Sequence, residues 1–136
     1  MSQDITSQTF QCVATAERLA SARAFLRRFL AMTRWKGCDL DVLIAVGEVL
    51  QNIIRHGFDG GDPEGRIHME VVIEKGVLKV LIEDDAPSSV PSGWASSGQR
   101  VQDGGLGLMM IHHIADGVEF APTATGNCAR LSFRSD

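Results

Sequence analysis

The chain lacks an excess of positive charge, a long apolar run and a pairing set of cysteines. Its 13 Lys and Arg are outnumbered by 17 Asp and Glu, for a formal net charge of -4. A nucleic-acid partner held on a basic face is therefore not expected. No apolar run approaches the ~20 residues that cross a bilayer, so no membrane span is expected. The first ten residues are polar and do not read as a secretory leader. Cys12, Cys38 and Cys128 are odd in number and far apart. They match neither a metal-binding spacing nor a disulfide framework, which suits a reducing cytoplasm, and all three read as packing residues. Three nucleotide signatures are also missing. There is no G-x-x-x-x-G-K-[ST] loop, no Rossmann fingerprint after a strand, and no protein-kinase signature set.

What is present fits one domain, 1–136, with a substantial core. Of the 136 residues, 44% are apolar and 22% charged, ordinary values for a globular chain. Residues 9–14 alternate loosely and read as a strand. From Thr15, a possible cap, the period turns helical, with Leu19, Ala22, Leu26, Phe29 and Leu30 on one face. Gly37 reads as the stop of this helix and Asp39 as the cap of a second, running to about His56 and closed by Gly57. "DGGDPEG" at 59–65 reads as a loop. "RIHMEVVIE" and "VLKVLIED" flank Lys75-Gly76 as a β-hairpin. In its second strand Leu78, Val80, Ile82 and Asp84 share the more apolar face, so Asp84 continues an inward row. Residues 86–103 are rich in Ser, Gly and Pro, with only Val90, Trp94 and Val101 large and apolar. A loop of this length inside a compact domain is usually functional or disordered. A third helix begins at "GGLGLMMIHHIAD", with Leu106, Met110 and Ile114 on one face, and two more strands turn near Thr125-Gly126-Asn127. The order β-α-α-β-β-loop-α-β-β predicts an α+β two-layer sandwich. Its sheet is mixed, mostly antiparallel, and covered on one face by about three helices.

Three features carry chemistry. In "GEVLQNIIRHG" (47–57), Glu48, Asn52 and His56 step by about 40° each on a helix and form one slanted stripe. On the helix alone, that stripe is either a solvated face or the floor of a cleft. Asp84 ends an apolar row, where a carboxylate is costly unless hydrogen-bonded. It either opens a turn before Pro87 or accepts from a nucleobase amine. "DGGLGL" (103–108) places glycines at a helix entrance, where backbone amides and the helix dipole can meet an anion.

Taken in order, these features resemble the ATP-binding domain of gyrase-type ATPases and histidine kinases, the GHKL or Bergerat fold. The resemblance covers nearly the whole chain. "GEVLQNIIRHGF", "LKVLIEDDAP" and "GGLGLMMIHHIAD" are most similar to the anti-sigma-factor serine kinases. A histidine kinase would carry a phosphoacceptor-helix domain upstream, for which this length leaves no room.

The resemblance implies ATP and Mg²⁺ as cofactors. It implies Asn52 as the Mg²⁺ ligand, Glu48 as general base, and Arg55 and His56 near phosphate. Asp84 would accept from the adenine amine, with Ala86 beside the base. Gly104, Gly105, Leu106, Gly107 and Leu108 would start the third helix against the phosphates, and 86–104 would form the ATP lid. It implies a cytoplasmic serine/threonine protein kinase, a homodimer, that phosphorylates an anti-sigma-factor antagonist and also binds a sigma factor. A non-catalytic partner-capture module and a simple ATPase are the alternatives. The family's Asp-x-Gly appears here as Asp84-Asp85-Ala86, and the absence of Gly at a position of positive φ puts nucleotide affinity in question.

Overall fold

The computed structural model describes residues 5–87 and 105–135. β1 (Ile5–Ala14) leads through a short 3-10 turn (Ala16–Arg18) into α1 (Leu19–Thr33) and α2 (Asp39–Asn52). A π-helical turn (Ile53–Gly57) precedes the hairpin β2 (Asp62–Glu74) and β3 (Val77–Asp84). α3 (Gly105–Ile114), β4 (Gly117–Pro122) and β5 (Asn127–Phe133) complete the order. The expected α+β sandwich is what forms, except that the sheet is not mixed. The strands lie in the order β1-β2-β3-β5-β4, and every pair is antiparallel.

The register explains the core. Met69, Ile82 and Ala129 stand side by side across β2, β3 and β5, as do Val71, Val80 and Leu131. All six are buried, and they meet Leu26, Phe29, Val42, Val46 and Val49 of the helical layer. Phe10 of β1 lies against Phe25 of α1 with ring centroids 5.2 Å apart. The opposite face of the sheet is polar. Its ion pairs, His68–Glu83 at 3.6 Å, Lys79–Glu74 at 3.8 Å and Arg130–Glu119 at 3.6 Å, are exposed enough to add little stability. No helix among the described residues is long and apolar enough to cross a membrane.

Several local expectations are corrected. β1 starts four residues earlier than its alternation suggests, because Ile5–Val13 finds partners along β2 from Glu74 to Arg66. Thr15 makes no capping bond, and the α-helix proper begins at Leu19. α1 stops before Gly37: Arg34 takes the left-handed conformation and donates its N–H to Leu30 O at 3.1 Å. Gly37 instead admits the Trp35 ring, which a Cβ there would overlap. Trp35 in turn donates its indole N–H to Gly76 O at 2.9 Å, tying the α1–α2 connection to the hairpin. Cys38, not Asp39, occupies the cap of α2, without a side-chain bond, while Asp39 and Asp41 lie in its first turn, where the helix dipole favours them.

The 59–65 segment is shorter as a loop, since Asp62 already belongs to β2. On α3, Met110 is 42% exposed and Ile111 is the residue fully buried. The cysteines also divide: Cys128 is buried, Cys12 half-buried and Cys38 exposed, so Cys38 is not a packing residue.

Gly47 lies inside α2, and no described atom comes within 4 Å of a Cβ placed on it. A helix-interior glycine costs about 0.5–1 kcal/mol relative to alanine. Gly47→Ala is expected to raise unfolding stability by about that amount, measured by urea denaturation.

Candidate functional site

α2 is apolar around most of its circumference, so its polar positions are conspicuous. Asn52 is only 3% exposed, and among the described residues its side-chain amide makes no hydrogen bond. Glu48, one turn earlier, is half-buried and likewise makes no hydrogen bond or ion pair among the described residues. Their four-residue spacing in regular helix puts them on one side, as expected. His56 does not continue that stripe in the same geometry. The helix widens after Asn52, and Phe58 N–H bonds to Ile53 O, five residues back, at 3.1 Å. This widening lets Phe58 turn into the core over Gly65, where any side chain would meet the Phe58 ring. His56 is half-buried and Arg55 exposed on this wider turn. Single π-turns of this kind recur at functional sites.

Asp84 ends the inward row of β3 and is 8% exposed. Its Oδ1 accepts the Ala86 N–H at 2.9 Å and the Asn127 Nδ2 at 3.3 Å. Asn127, 4% exposed, stands directly across from Asp84 in the β3–β5 register. Burial raises the Asp84 pKa above its ordinary 3.8. The Ala86 and Asn127 bonds pull it back, and the charge of Asp85 pushes it up. Asp85 faces the other way and accepts the Arg66 N–H on Oδ1 at 2.8 Å. Ala86 is buried and is not among the residues of positive φ. The expected conflict between an alanine and a glycine-only conformation is therefore absent.

The two halves meet at the end of the π-turn, where a Cβ on Gly57 would stand 3.0 Å from the Cβ of Ala86. Gly105, Leu106, Gly107 and Leu108 form the first turn of α3, which packs on α2. Gly104 and residues 88–103 of the expected lid lie outside the described residues.

Sequence reading missed Asn127 and Gly126. Asn127 becomes visible only with the cross-strand register. Gly126 lies so close that a Cβ would overlap the Asp84 carbonyl oxygen, so this turn admits no side chain. "TGN" was legible as a turn, but nothing in it pointed to Asp84.

The donor set suits a hard cation held mainly by a ligand's own oxygens. Among the described residues, no three His, Cys, Asp or Glu side chains gather into a metal cage. Asn52 offers one amide oxygen that no described group engages, and Mg²⁺ is commonly held by one or two protein oxygens plus phosphates and water.

An antiparallel sheet under three helices, with these groups at one end, is the arrangement of the GHKL class. The chain belongs to the histidine kinase-like ATPase domain family, which matches residues 12–133. It is similar to the serine-protein kinase RsbW of Listeria monocytogenes. Identity is 31% over 88 residues for the serotype 4a protein and 30% for the serovar 1/2a protein, covering 58% of this chain and 55% of the relative. The chain thus spans about half the length of the curated relatives it matches. Among solved structures, the RsbU and RsbW domains of a Mycobacterium tuberculosis protein superpose with a TM-score of 0.68 at 21% identity. That match covers 95% of this chain and 32% of the other. The histidine kinase domain of a blue-light activated histidine kinase from Erythrobacter litoralis gives 0.54 at 17% identity, covering 71% and 44%. The structures support the fold. The curated relatives bear out the resemblance to the anti-sigma-factor serine kinases.

Because its pKa is raised on folding, Asp84 holds a proton more tightly in the folded chain than in the unfolded one. Its contribution to stability is most favourable below pH 3.8. It declines as pH rises through the window between that value and the raised folded one, and stays lower above it. Asp84→Asn keeps an acceptor for Ala86 and removes the buried charge. The variant is expected to unfold at higher urea concentration than wild type at pH 7, with the charge-dependent gain disappearing below pH 3.8.

Proposed function

We propose that this chain is an ATP-dependent protein serine/threonine kinase of the anti-sigma-factor type. It binds Mg-ATP and phosphorylates a serine of an anti-sigma-factor antagonist, and it holds a sigma factor in alternation with that antagonist. The observation that carries this reading is Asn52. Its side chain is set into the apolar helix surface at only 3% exposure, and its amide is bonded to no described protein group, so the amide is available to a ligand. Glu48 lies one helical turn away, and Asp84 is held at the facing strand end. The RsbW names of the curated relatives support the choice of kinase class.

Each residue has a distinct task in this reading. The free Oδ2 of Asp84 accepts from the adenine amine, since Oδ1 is already engaged. Asn52 ligates Mg²⁺, which supplies charge neutralisation at the phosphates. Glu48 accepts the proton of the attacking serine hydroxyl. The serine oxygen bonds to the γ-phosphorus as the bond to the ADP oxygen breaks, so one phosphoryl group moves and ADP leaves. The N-terminus of α3, at Gly105–Leu108, would meet the phosphates, with Arg55 and His56 at the same end. The lid expected over 86–104, of which 88–104 lie outside the described residues, would exclude water. The chain works as a cytoplasmic homodimer.

The test is phosphoryl transfer from Mg-ATP to a small antagonist-domain protein that carries a candidate serine. Phosphoserine on that protein is expected. Glu48→Gln should lower kcat by about 100-fold or more, the usual effect of losing a general base, while leaving the Kd for Mg-ATP near wild type. Asn52→Ala should remove the Mg²⁺ dependence of nucleotide binding. Transfer that survives Glu48→Gln at full rate would overturn the assignment.

A further inference from the structure

Asn52 and Asp84 lie on different elements, and no hydrogen bond joins them. The elements that carry them meet where Gly57 faces Ala86. Gly57 closes the π-turn that begins immediately after Asn52. Ala86 is buried, and its N–H is one of the two protein donors on Asp84. A Cβ on Gly57 would stand 3.0 Å from the Ala86 Cβ and 3.9 Å from Ile53 Cγ2. The first is tighter than nearly all Cβ contacts, so one side must give by a few tenths of an ångström, and the second is ordinary. Neither residue has positive φ, so the backbone does not require glycine at either position. What Gly57 supplies is room. A Cβ moves only with its backbone, so a methyl on both sides could be relieved only by separating the end of α2 from the end of β3.

We propose that Gly57 and Ala86 are a size-matched positioning pair that sets the spacing between Asn52 and Asp84. Nucleotide binding then depends on the combined bulk at the two positions, with one methyl group shared between them. This rests on the nucleotide-site reading above. It goes further by assigning a role to Gly57, which lies outside the phosphate- and base-contacting set, and a second role to Ala86, already placed beside the base. A ligand that reaches both ends of the site, Mg-ATP, depends on that spacing. A ligand that reaches only the Asp84 end, adenosine, does not.

The test measures Kd for Mg-ATP with a fluorescent ATP analogue, and for adenosine by competition, on wild type, Gly57→Ala, Ala86→Gly and the double swap. Gly57→Ala is expected to weaken Mg-ATP binding about tenfold, in keeping with the cost of overpacking a tight contact. Adenosine binding should stay within about threefold of wild type, a change under about 0.7 kcal/mol. The swap Gly57→Ala/Ala86→Gly restores a single methyl and should return Mg-ATP binding to within about threefold of wild type. A swap no better than Gly57→Ala, an equal loss for both ligands, or a Gly57→Ala variant that binds as wild type does would each overturn the pairing. If Gly57→Ala does not fold, the swap decides alone: folding with near-wild-type affinity supports the pairing, and any other result overturns it. Failure of the wild-type chain to bind Mg-ATP would instead remove the nucleotide reading itself, and the pairing with it.

Discussion

A carboxylate buried at the end of an apolar strand row is the constraint around which this end of the molecule is organised. Asp84 follows Leu78, Val80 and Ile82 into the interior, and an ionised group there needs donors. The chain supplies two from different places. One is the backbone two residues on. The other is an asparagine 43 residues away in sequence, brought opposite by the β3–β5 register. Both donors go to the same oxygen. That asymmetry makes the residue more than a satisfied core acid, because it leaves the second oxygen available to a ligand. It also explains why the β4–β5 turn brings Gly126 against the Asp84 backbone: Asn127 reaches the carboxylate only if β5, which it begins, starts that close.

Much of this was legible in the amino-acid sequence, for identifiable reasons. The inward row of β3 follows from strict alternation, and the two-residue hairpin follows from Lys75-Gly76, both of which take positive φ as such a turn requires. Glu48 and Asn52 were found because a four-residue step in a helix is a short-range property. The corrections come where a long-range contact overrides a local signal. Gly37 looks like a helix stop, but the chain reverses at Arg34 because Trp35 must dock on the hairpin. Asp62 looks like loop, yet it pairs across a register shift with Ala14. Asn127 could not be singled out, since a polar residue beside a glycine reads as turn chemistry until its cross-strand neighbour is known. The expected penalty at Ala86 came from assuming a glycine conformation. The backbone there does not adopt it.

The π-turn connects these observations. Had α2 continued regularly to His56, the Glu48–Asn52–His56 stripe would have been an uninterrupted polar face, the kind that solvent usually covers. The wider turn after Asn52 does two things. It releases Phe58 into the core over Gly65, anchoring the helix end. It also carries Gly57 to Ala86, so the helix end is packed against the strand end that bears Asp84. His56 therefore occupies a position set by packing as well as by helix period, and its geometry differs from that of the two residues before it.

On the proposed reading, stability and function oppose one another at this end of the chain. Burial raises the Asp84 pKa, so its ionised form costs folding free energy at neutral pH. Asn52 places an amide, bonded to no described group, at a position only 3% exposed, where an apolar side chain would gain more from packing. A core selected for stability alone would place apolar side chains at both positions. These costs lie at one end of a core whose other buried side chains, Asn127 aside, are apolar among the described residues. A well-packed interior tolerates such defects where a bound ligand compensates them. A ligand that engages both groups should then stabilise the folded chain more than its contact area alone implies, because it offsets the burial penalty that Asp84 already carries in the unliganded state.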